Sequence, residues 1–156
     1  MDERRCAVYV GQVRKEDEEF MTNYDEEVQK VSAYNQPILE EFKSWLQNSG
    51  VTPKTIKNHL ENIQFFAEYL VYDEPLQKLD EADAEDGYSF LADWFPRKAL
   101  WASANSMKSN RASFRKFFKF LRESSRVDDE TEAEVCNTLK EGKEEFLEAV
   151  AFDEDD

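Results

Sequence analysis

The spacing of apolar and polar residues predicts helices along almost the whole chain. Apolar side chains recur at intervals of three and four, and only four glycines and four prolines interrupt them. A first, acidic helix is predicted over residues 16–33, because its apolar residues gather on one face. These residues are Phe20, Tyr24, Val28 and Val31.

Two further helices are predicted on either side of Gly50. The second begins at Gln36, with Pro37 in its first turn, and ends where Gly50 suits a C-cap. Thr52 and Pro53 then supply an N-cap and a first helical residue, so a third helix is predicted to continue to about residue 72.

Three further helices are predicted after the third. A fourth helix is predicted over residues 82–95, and a fifth extends from caps within 103–106 to about residue 124. A sixth begins near Asp128, where Thr131 and Glu134 have capping-box spacing. Residues 7–13 predict either an extended arm or a short strand, and residues 152–156 predict a frayed end.

Together these elements predict an all-α fold. We expect a compact orthogonal bundle of about four to five helices with additional acidic helices at the N- and C-terminal ends. The organisation expected is an N-terminal arm and acidic helix (1–35), a central bundle (36–126) and an acidic C-terminal helix and tail (127–156).

Charge is distributed unevenly along this bundle. The net charge is -15, which would ordinarily argue against binding to nucleic acid. Residues 97–126, however, carry nine basic side chains against one acid, whereas residues 127–156 carry thirteen acids against two lysines. The chain is therefore a charge dipole, with a basic block followed by an acidic block, and this asymmetry needs an explanation more than the net charge does.

The fifth helix concentrates the basic charge on one face. At about 100° per residue its apolar side chains form one arc and its cations form a separate arc beside it. The cations are Lys108, Arg111, Arg115, Lys119 and Arg122. Three hypotheses explain this ridge: contact with a nucleic acid, neutralisation by acids of the sixth helix, or simple solvation of a charged face.

Enzymatic chemistry is not indicated by the residue patterns. Cys6 and Cys136 lie far apart, so a reduced thiol at each position is expected and neither a disulfide framework nor a metal site is predicted. His59, on the apolar side of the third helix, is interpreted as a structural histidine. No phosphate-binding loop or nucleophile motif occurs, and we expect a non-enzymatic protein without cofactors. No apolar stretch has signal-peptide or membrane-spanning length, so a cytoplasmic protein is expected.

Two stretches of the sequence carry a family resemblance. Residues 38–59 contain the amphipathic segment ILEEFKSWL and the helix restart GVTPKTIKNH, and residues 106–121 contain SMKSNR followed by FRKFFKFL. In order and spacing these stretches resemble the signature helices of the phage-integrase N-terminal SAM-like domain, which is the core-binding domain of tyrosine recombinases. The resemblance covers about residues 39–124.

This resemblance implies contact with duplex DNA. In the family, the domain lies across one face of the duplex and closes a clamp against a separate catalytic domain. The contacts implied by position come from the third and fifth helices. They involve Lys54, Thr55, Lys57, Asn58, Lys108, Arg111, Arg115 and Lys119, and the basic ridge adds Arg122. The sequence lacks the family's downstream constellation of tyrosine, arginine, lysine and histidine, so we expect a stand-alone module and not a complete recombinase.

Two functional hypotheses follow from these patterns. The first is a DNA-binding module that contacts phosphates and regulates recombination or maintains a mobile element. The second is an acidic protein-interaction or DNA-mimicking factor, in which the acidic helices contact a basic partner and the bundle is only a scaffold. In a mixed case, residues 127–156 would be a movable arm that covers the basic ridge.

Overall fold

The computed structural model describes residues 15–72 and 75–151, with side chains from residue 23 onward. Within these ranges the chain is helical and contains no strand, which confirms the all-α prediction. The long helices are α1 (Lys15–Asn48), α2 (Pro53–Leu70), α5 (Ala104–Glu123) and α6 (Asp129–Glu141). The shorter elements are a 3-10 turn (Leu79–Glu81), α3 (Ala84–Ser89), a π-helical turn (Phe90–Trp94), α4 (Phe95–Lys98) and α7 (Lys143–Ala149).

The first two predicted helices are one continuous helix, so the predicted break at residues 34–35 is wrong. Pro37 lies inside α1, where its missing N–H removes one hydrogen bond of the helix. Packing outweighs that loss, because Ile38, Leu39 and Phe42 are buried against the rest of the bundle. Buried Asn35 strengthens the same contact, since its side-chain oxygen accepts a hydrogen bond of 3.0 Å from the Leu79 N–H.

The connection between α1 and α2 has the predicted caps. Gly50 has φ +80°, a left-handed conformation that favours glycine after a helix end. The Thr52 side chain accepts a hydrogen bond of 3.3 Å from the Thr55 N–H, and Pro53 is the first residue of α2. The sequence therefore fixes where α2 begins, and with it the positions of the basic residues in its first turns.

The predicted fourth helix is split into several short elements. Asp83 caps α3 by accepting from the Asp86 N–H at 3.1 Å, and the helix then widens into the π-helical turn. The Phe95 N–H bonds to the Phe90 carbonyl, just before Pro96 removes the next backbone donor. This wider turn places Phe90 and Trp94 in the core.

Aromatic side chains dominate the core, as their helical spacing predicts. Phe66 lies 4.7 Å from Phe114, measured between ring centroids, and Phe42 lies 5.0 Å from Phe117 in an edge contact. All four rings are completely buried. The complete burial of these large rings fixes the rotation of α2 and α5 about their axes. It thereby decides which side chains of the two helices face solvent.

The C-terminal helices belong to the same core. Val135 and Leu139 of α6 are buried, as are Phe146 of α7 and Val150 just after it. Displacement of these helices from the bundle would expose these four side chains. The movable arm over residues 127–156 stays a prediction. The predicted capping box is also wrong: Asp128 caps α6 by accepting from the Thr131 N–H at 2.8 Å.

Some predictions fall outside the described residues. The arm or strand over residues 7–13, Cys6 and the frayed end over residues 152–156 all lie there. In the ranges that are described, no helix combines the length and the apolar character of a membrane span.

Candidate nucleic-acid interface

The N-terminal cap of α5 sets the position of the basic ridge. The Ser103 side chain accepts from the Ser106 N–H at 3.1 Å, and the Ser106 hydroxyl accepts from the Ser103 N–H at 2.8 Å. This reciprocal cap confirms the predicted start of the helix within residues 103–106. Because the opposite face of α5 is buried, the ridge is turned toward the protein surface.

A buried polar cluster joins α5 to α2. The His59 Nδ1 atom lies 2.6 Å from the Ser113 hydroxyl, which also accepts a hydrogen bond of 2.9 Å from the Asn62 side chain. Asn62 donates a second hydrogen bond of 3.0 Å to Ser109. The residue pairs run in opposite directions along the two helices, so α2 and α5 pack antiparallel.

This cluster confirms the structural interpretation of His59, whose side chain is almost completely buried. The Ser113 oxygen accepts from Asn62 and also shares a hydrogen bond with Nδ1, in which the ring tautomer decides the donor. Burial lowers the pKa of His59, and the nearby charge of Lys116 lowers it further. The sequence analysis did not identify the two serines, although their spacing of four places both on one face of α5.

Arg111 is the first ridge residue with a partner inside the fold. Its Nε and Nη2 atoms donate hydrogen bonds of 3.2 and 2.9 Å to the Leu139 carbonyl, in the last turn of α6. Carbonyls at a helix end have no partner within the helix, so the guanidinium satisfies one of them. Burial lowers the pKa of Arg111, and the neighbouring charge of Arg115 adds to the effect. The residue therefore fastens α6 to α5.

Arg122, at the other end of the ridge, is paired with acids of α6. Its Nε atom lies 2.5 Å from a carboxylate oxygen of Glu132 and 3.8 Å from one of Asp129. Glu132 is the main reason that the pKa of Arg122 is raised. Neutralisation of the ridge by acids of the sixth helix, one of the three hypotheses, thus applies to the Arg122 end of the ridge. Arg126, just beyond α5, forms a bidentate ion pair with Glu41. Its Nη1 and Nη2 atoms lie 3.1 and 2.9 Å from the two carboxylate oxygens.

The middle of the ridge remains open to solvent. Lys108, Arg115 and Lys119 are exposed, and within residues 23–72 and 75–151 none of them forms an ion pair. Lys108 and Lys119 are eleven residues apart in α5, or about 16 Å at 1.5 Å per residue. We call these three residues the open ridge.

The four predicted residues of α2 are also exposed, in its first two turns. Lys54 and Asn58 have solvent-facing side chains, and Lys57 lies 3.9 Å from Glu61 in a pair that is largely exposed on both sides. Thr55 takes part in the cap, because its hydroxyl accepts a hydrogen bond of 3.0 Å from Thr52. The structure thus leaves polar and cationic groups of α2 accessible at the helix N-terminus.

Neither a metal site nor a reactive thiol is indicated in the described part of the chain. No group of three or more histidine, cysteine, aspartate or glutamate side chains is arranged to hold a metal ion there. Cys136 is a half-buried free thiol, and burial raises its pKa, which disfavours the reactive thiolate. The arrangement suits electrostatic contact with an anion better than covalent chemistry.

Comparison with known proteins gives one match. A family model described as the phage integrase N-terminal SAM-like domain matches residues 39–124, which is more than half of the chain. No curated protein and no solved structure matches the sequence. The matched segment extends from the second half of α1 to the end of α5, so it includes both helices with predicted DNA contacts, whereas α6 and α7 lie beyond it.

Proposed function

This chain belongs to the phage integrase N-terminal SAM-like domain family, and from that membership we propose that it binds duplex DNA through the exposed cations of α5 and α2. The matched family is the non-catalytic N-terminal domain of integrases. The proposed activity is accordingly binding, without bond cleavage.

The open ridge is the observation that carries this proposal. Three cations on one helix face repel one another when no acid compensates them, and a polyanion relieves that repulsion. Their span of about 16 Å covers several phosphates of one strand, which follow one another every 3.4 Å along the duplex axis. Lys and Arg in such an array contact phosphates and position the protein without reading bases.

The predicted contact set divides into two groups. Lys108, Arg115 and Lys119 are available for phosphates, and α2 adds Lys54, Thr55, Lys57 and Asn58 near its N-terminus, where backbone N–H groups also favour anions. Arg111 and Arg122 have partners on α6. We therefore propose the first group as the DNA contacts and assign the two arginines to the α5–α6 junction.

The acidic surface of α6 supports the same arrangement. Glu130, Glu134 and Glu141 are exposed and would repel a duplex that approached from their side. A duplex is therefore accepted only along α2 and the open ridge. In this proposal the large negative net charge restricts the orientation of binding and weakens contact with DNA elsewhere on the protein.

Fluorescence anisotropy of a labelled duplex, measured from about 50 to 200 mM salt, tests the proposal. We expect salt-sensitive binding by the full chain and its loss when Lys108, Arg115 and Lys119 are replaced by alanine. A matched control replaces Lys30, Lys140 and Lys143, which are exposed on other helices. Absence of binding at low salt, or equal losses in both triple variants, would refute the proposal and favour the acidic protein-interaction hypothesis.

A regulatory role in recombination, or in maintaining a mobile element, is a finer part of this proposal. A non-catalytic module that occupies recombinase sites would compete with the enzyme for DNA. Addition of the full chain to a tyrosine-recombinase reaction should lower product yield, and the open-ridge variant should not. Unchanged yield at chain concentrations that saturate the DNA would reject this role while leaving DNA binding intact.

A further inference from the structure

A cleft with an aromatic floor lies on α2 at the connection between α4 and α5, and no part of the proposed DNA contact uses it. Its floor is formed by Phe65, Phe95 and Trp101, and its volume is about 360 Å³. Trp101 lies 5.2 Å from Phe65 and 6.4 Å from Phe95, measured between ring centroids. These contacts hold the indole in place while leaving 57% of its surface exposed.

Two carboxylates border this floor. Glu61 and Glu68 both line the cleft, and they lie on the same face of α2 as Phe65, at spacings of four and three residues. Seven residues of helix place them about 10 Å apart along the axis. The only acid–base pair described for Glu61 is its distant contact with Lys57 at 3.9 Å, within the part of the chain that the structure covers.

The combination of an exposed indole and flanking carboxylates fits a cation. A guanidinium or ammonium group binds the face of tryptophan through the ring quadrupole, and a carboxylate on each side adds charge attraction. Phosphate groups would be repelled by the same two acids. This cleft is therefore unsuited to the DNA backbone, in contrast to the open ridge.

The exposed side chain of Leu100 indicates that the bound cation belongs to a segment that also carries an apolar group. Leu100 precedes Trp101 in the chain, and its side chain is fully exposed although leucine is among the residues most often buried. An apolar group next to a cation-binding cleft matches a protein segment in which a basic residue is adjacent to an apolar one. A free metal ion or a small amine would leave Leu100 uncovered.

We propose that this cleft docks a partner-protein segment, with an arginine or lysine on Trp101 between Glu61 and Glu68 and an apolar neighbour on Leu100. Charge complementarity selects this partner. The overall charge of -15 favours basic partners in general, and the cleft gives that attraction a defined position. The docking uses residues other than the proposed DNA contacts, and the two surfaces meet at the exposed pair of Glu61 with Lys57 at 3.9 Å.

Nuclear magnetic resonance titration tests this docking on the full chain. The probe is the peptide acetyl-Leu-Arg-Leu-amide, and its control has citrulline in place of arginine, which keeps the shape and removes the charge. We expect the arginine peptide to shift the Trp101 indole N–H resonance in a saturable manner, with affinity about fivefold above that of the citrulline peptide. A Trp101→Phe variant assigns the resonance.

Two double variants that remove the same charge distinguish binding in the cleft from attraction by the overall negative charge of the protein. Glu61→Gln with Glu68→Gln should abolish the preference for arginine, whereas Glu26→Gln with Glu144→Gln, at exposed sites elsewhere, should preserve it. Equal affinity for the two peptides, or equal losses in both double variants, would overturn the proposal. DNA anisotropy distinguishes the two functions, since the Glu61/Glu68 variant should retain duplex binding and the open-ridge variant should retain peptide binding.

Discussion

The Arg111 guanidinium donates two hydrogen bonds to the Leu139 carbonyl and so joins α5 to α6, a helix beyond the family match. On the sequence alone, Arg111 is equivalent to the other cations of the ridge. In the folded protein it satisfies a helix end, and its neighbour Arg115 stays exposed one turn away. Two adjacent members of one charge pattern therefore have different roles.

Replacement of Arg111 by alanine should destabilise the fold. The Leu139 carbonyl would lose both donors, and we expect the free energy of unfolding to fall by about 1–3 kcal/mol in urea denaturation. Arg115→Ala is the control, because an exposed side chain without an ion pair should change stability by less than about 0.5 kcal/mol. Equal effects of the two substitutions would show that the Arg111 contact contributes no stability of its own.

Replacement of Glu132 by glutamine should strengthen DNA binding. Loss of the carboxylate removes the nearest partner of Arg122 and leaves the longer contacts with Asp129 and Glu123. A phosphate can then compete for the guanidinium, so the slope of log affinity against log salt should become steeper by up to about 0.9. Glu134→Gln removes the same charge from an exposed position of α6 that has no described ion pair. If both variants show the same slope, the effect is one of net charge and Arg122 contacts no phosphate.

Stability should fall as the solution is acidified below about pH 6.5, because of His59. The pKa of His59 in the folded state lies below its ordinary value of 6.5, so the unfolded chain binds the proton more readily. The free energy of unfolding therefore decreases as pH falls through this window and is regained as pH rises. Urea denaturation at several pH values measures the slope.

A His59→Gln variant isolates this contribution from that of the carboxylates. The variant should be less stable at neutral pH, since the buried contact with Ser113 is altered, but its slope near pH 6 should be flatter. An unchanged slope would assign the pH dependence to acidic residues instead.

Replacement of Gly142 by alanine should destabilise the junction between α6 and α7. An added Cβ atom would lie 2.6 Å from the Phe146 ring, which is completely buried. We expect a loss of about 1–3 kcal/mol in the free energy of unfolding, as for other overpacked cores. Lys140→Ala, in the same turn region but exposed, provides the comparison. If Gly142→Ala unfolds at the same urea concentration as the wild-type protein, α7 contributes little to the core.

The sequence predicted the helices whose ends carry strong local signals. Gly50, Thr52 and Ser103 act through their own backbone neighbours, so their roles follow from a few adjacent residues. Pro37 misled the prediction because its local cost is offset by distant packing, including the bond between Asn35 and Leu79. Local patterns cannot reveal contacts between residues so far apart in sequence.

The candidate interface was predictable only in part, for the same reason. Periodicity placed all five cations on one face of α5, but exposure depends on what packs beside that face. The partners of Arg111 and Arg122 lie on α6, and nothing in the pattern of α5 specifies how α6 is placed. The sequence patterns did not single out Trp101, since its exposure results from a turn between helices.

The uninterrupted α1 also acts as a spacer of fixed length. It begins 24 residues before the start of the family match, a distance of about 36 Å along the helix axis. The Tyr24 hydroxyl donates to the Val71 carbonyl, and Asn35 accepts from Leu79, so the helix is tied to the bundle at two levels. A partner that binds α1 between these two levels is therefore held at a set distance and bearing from α2 and α5.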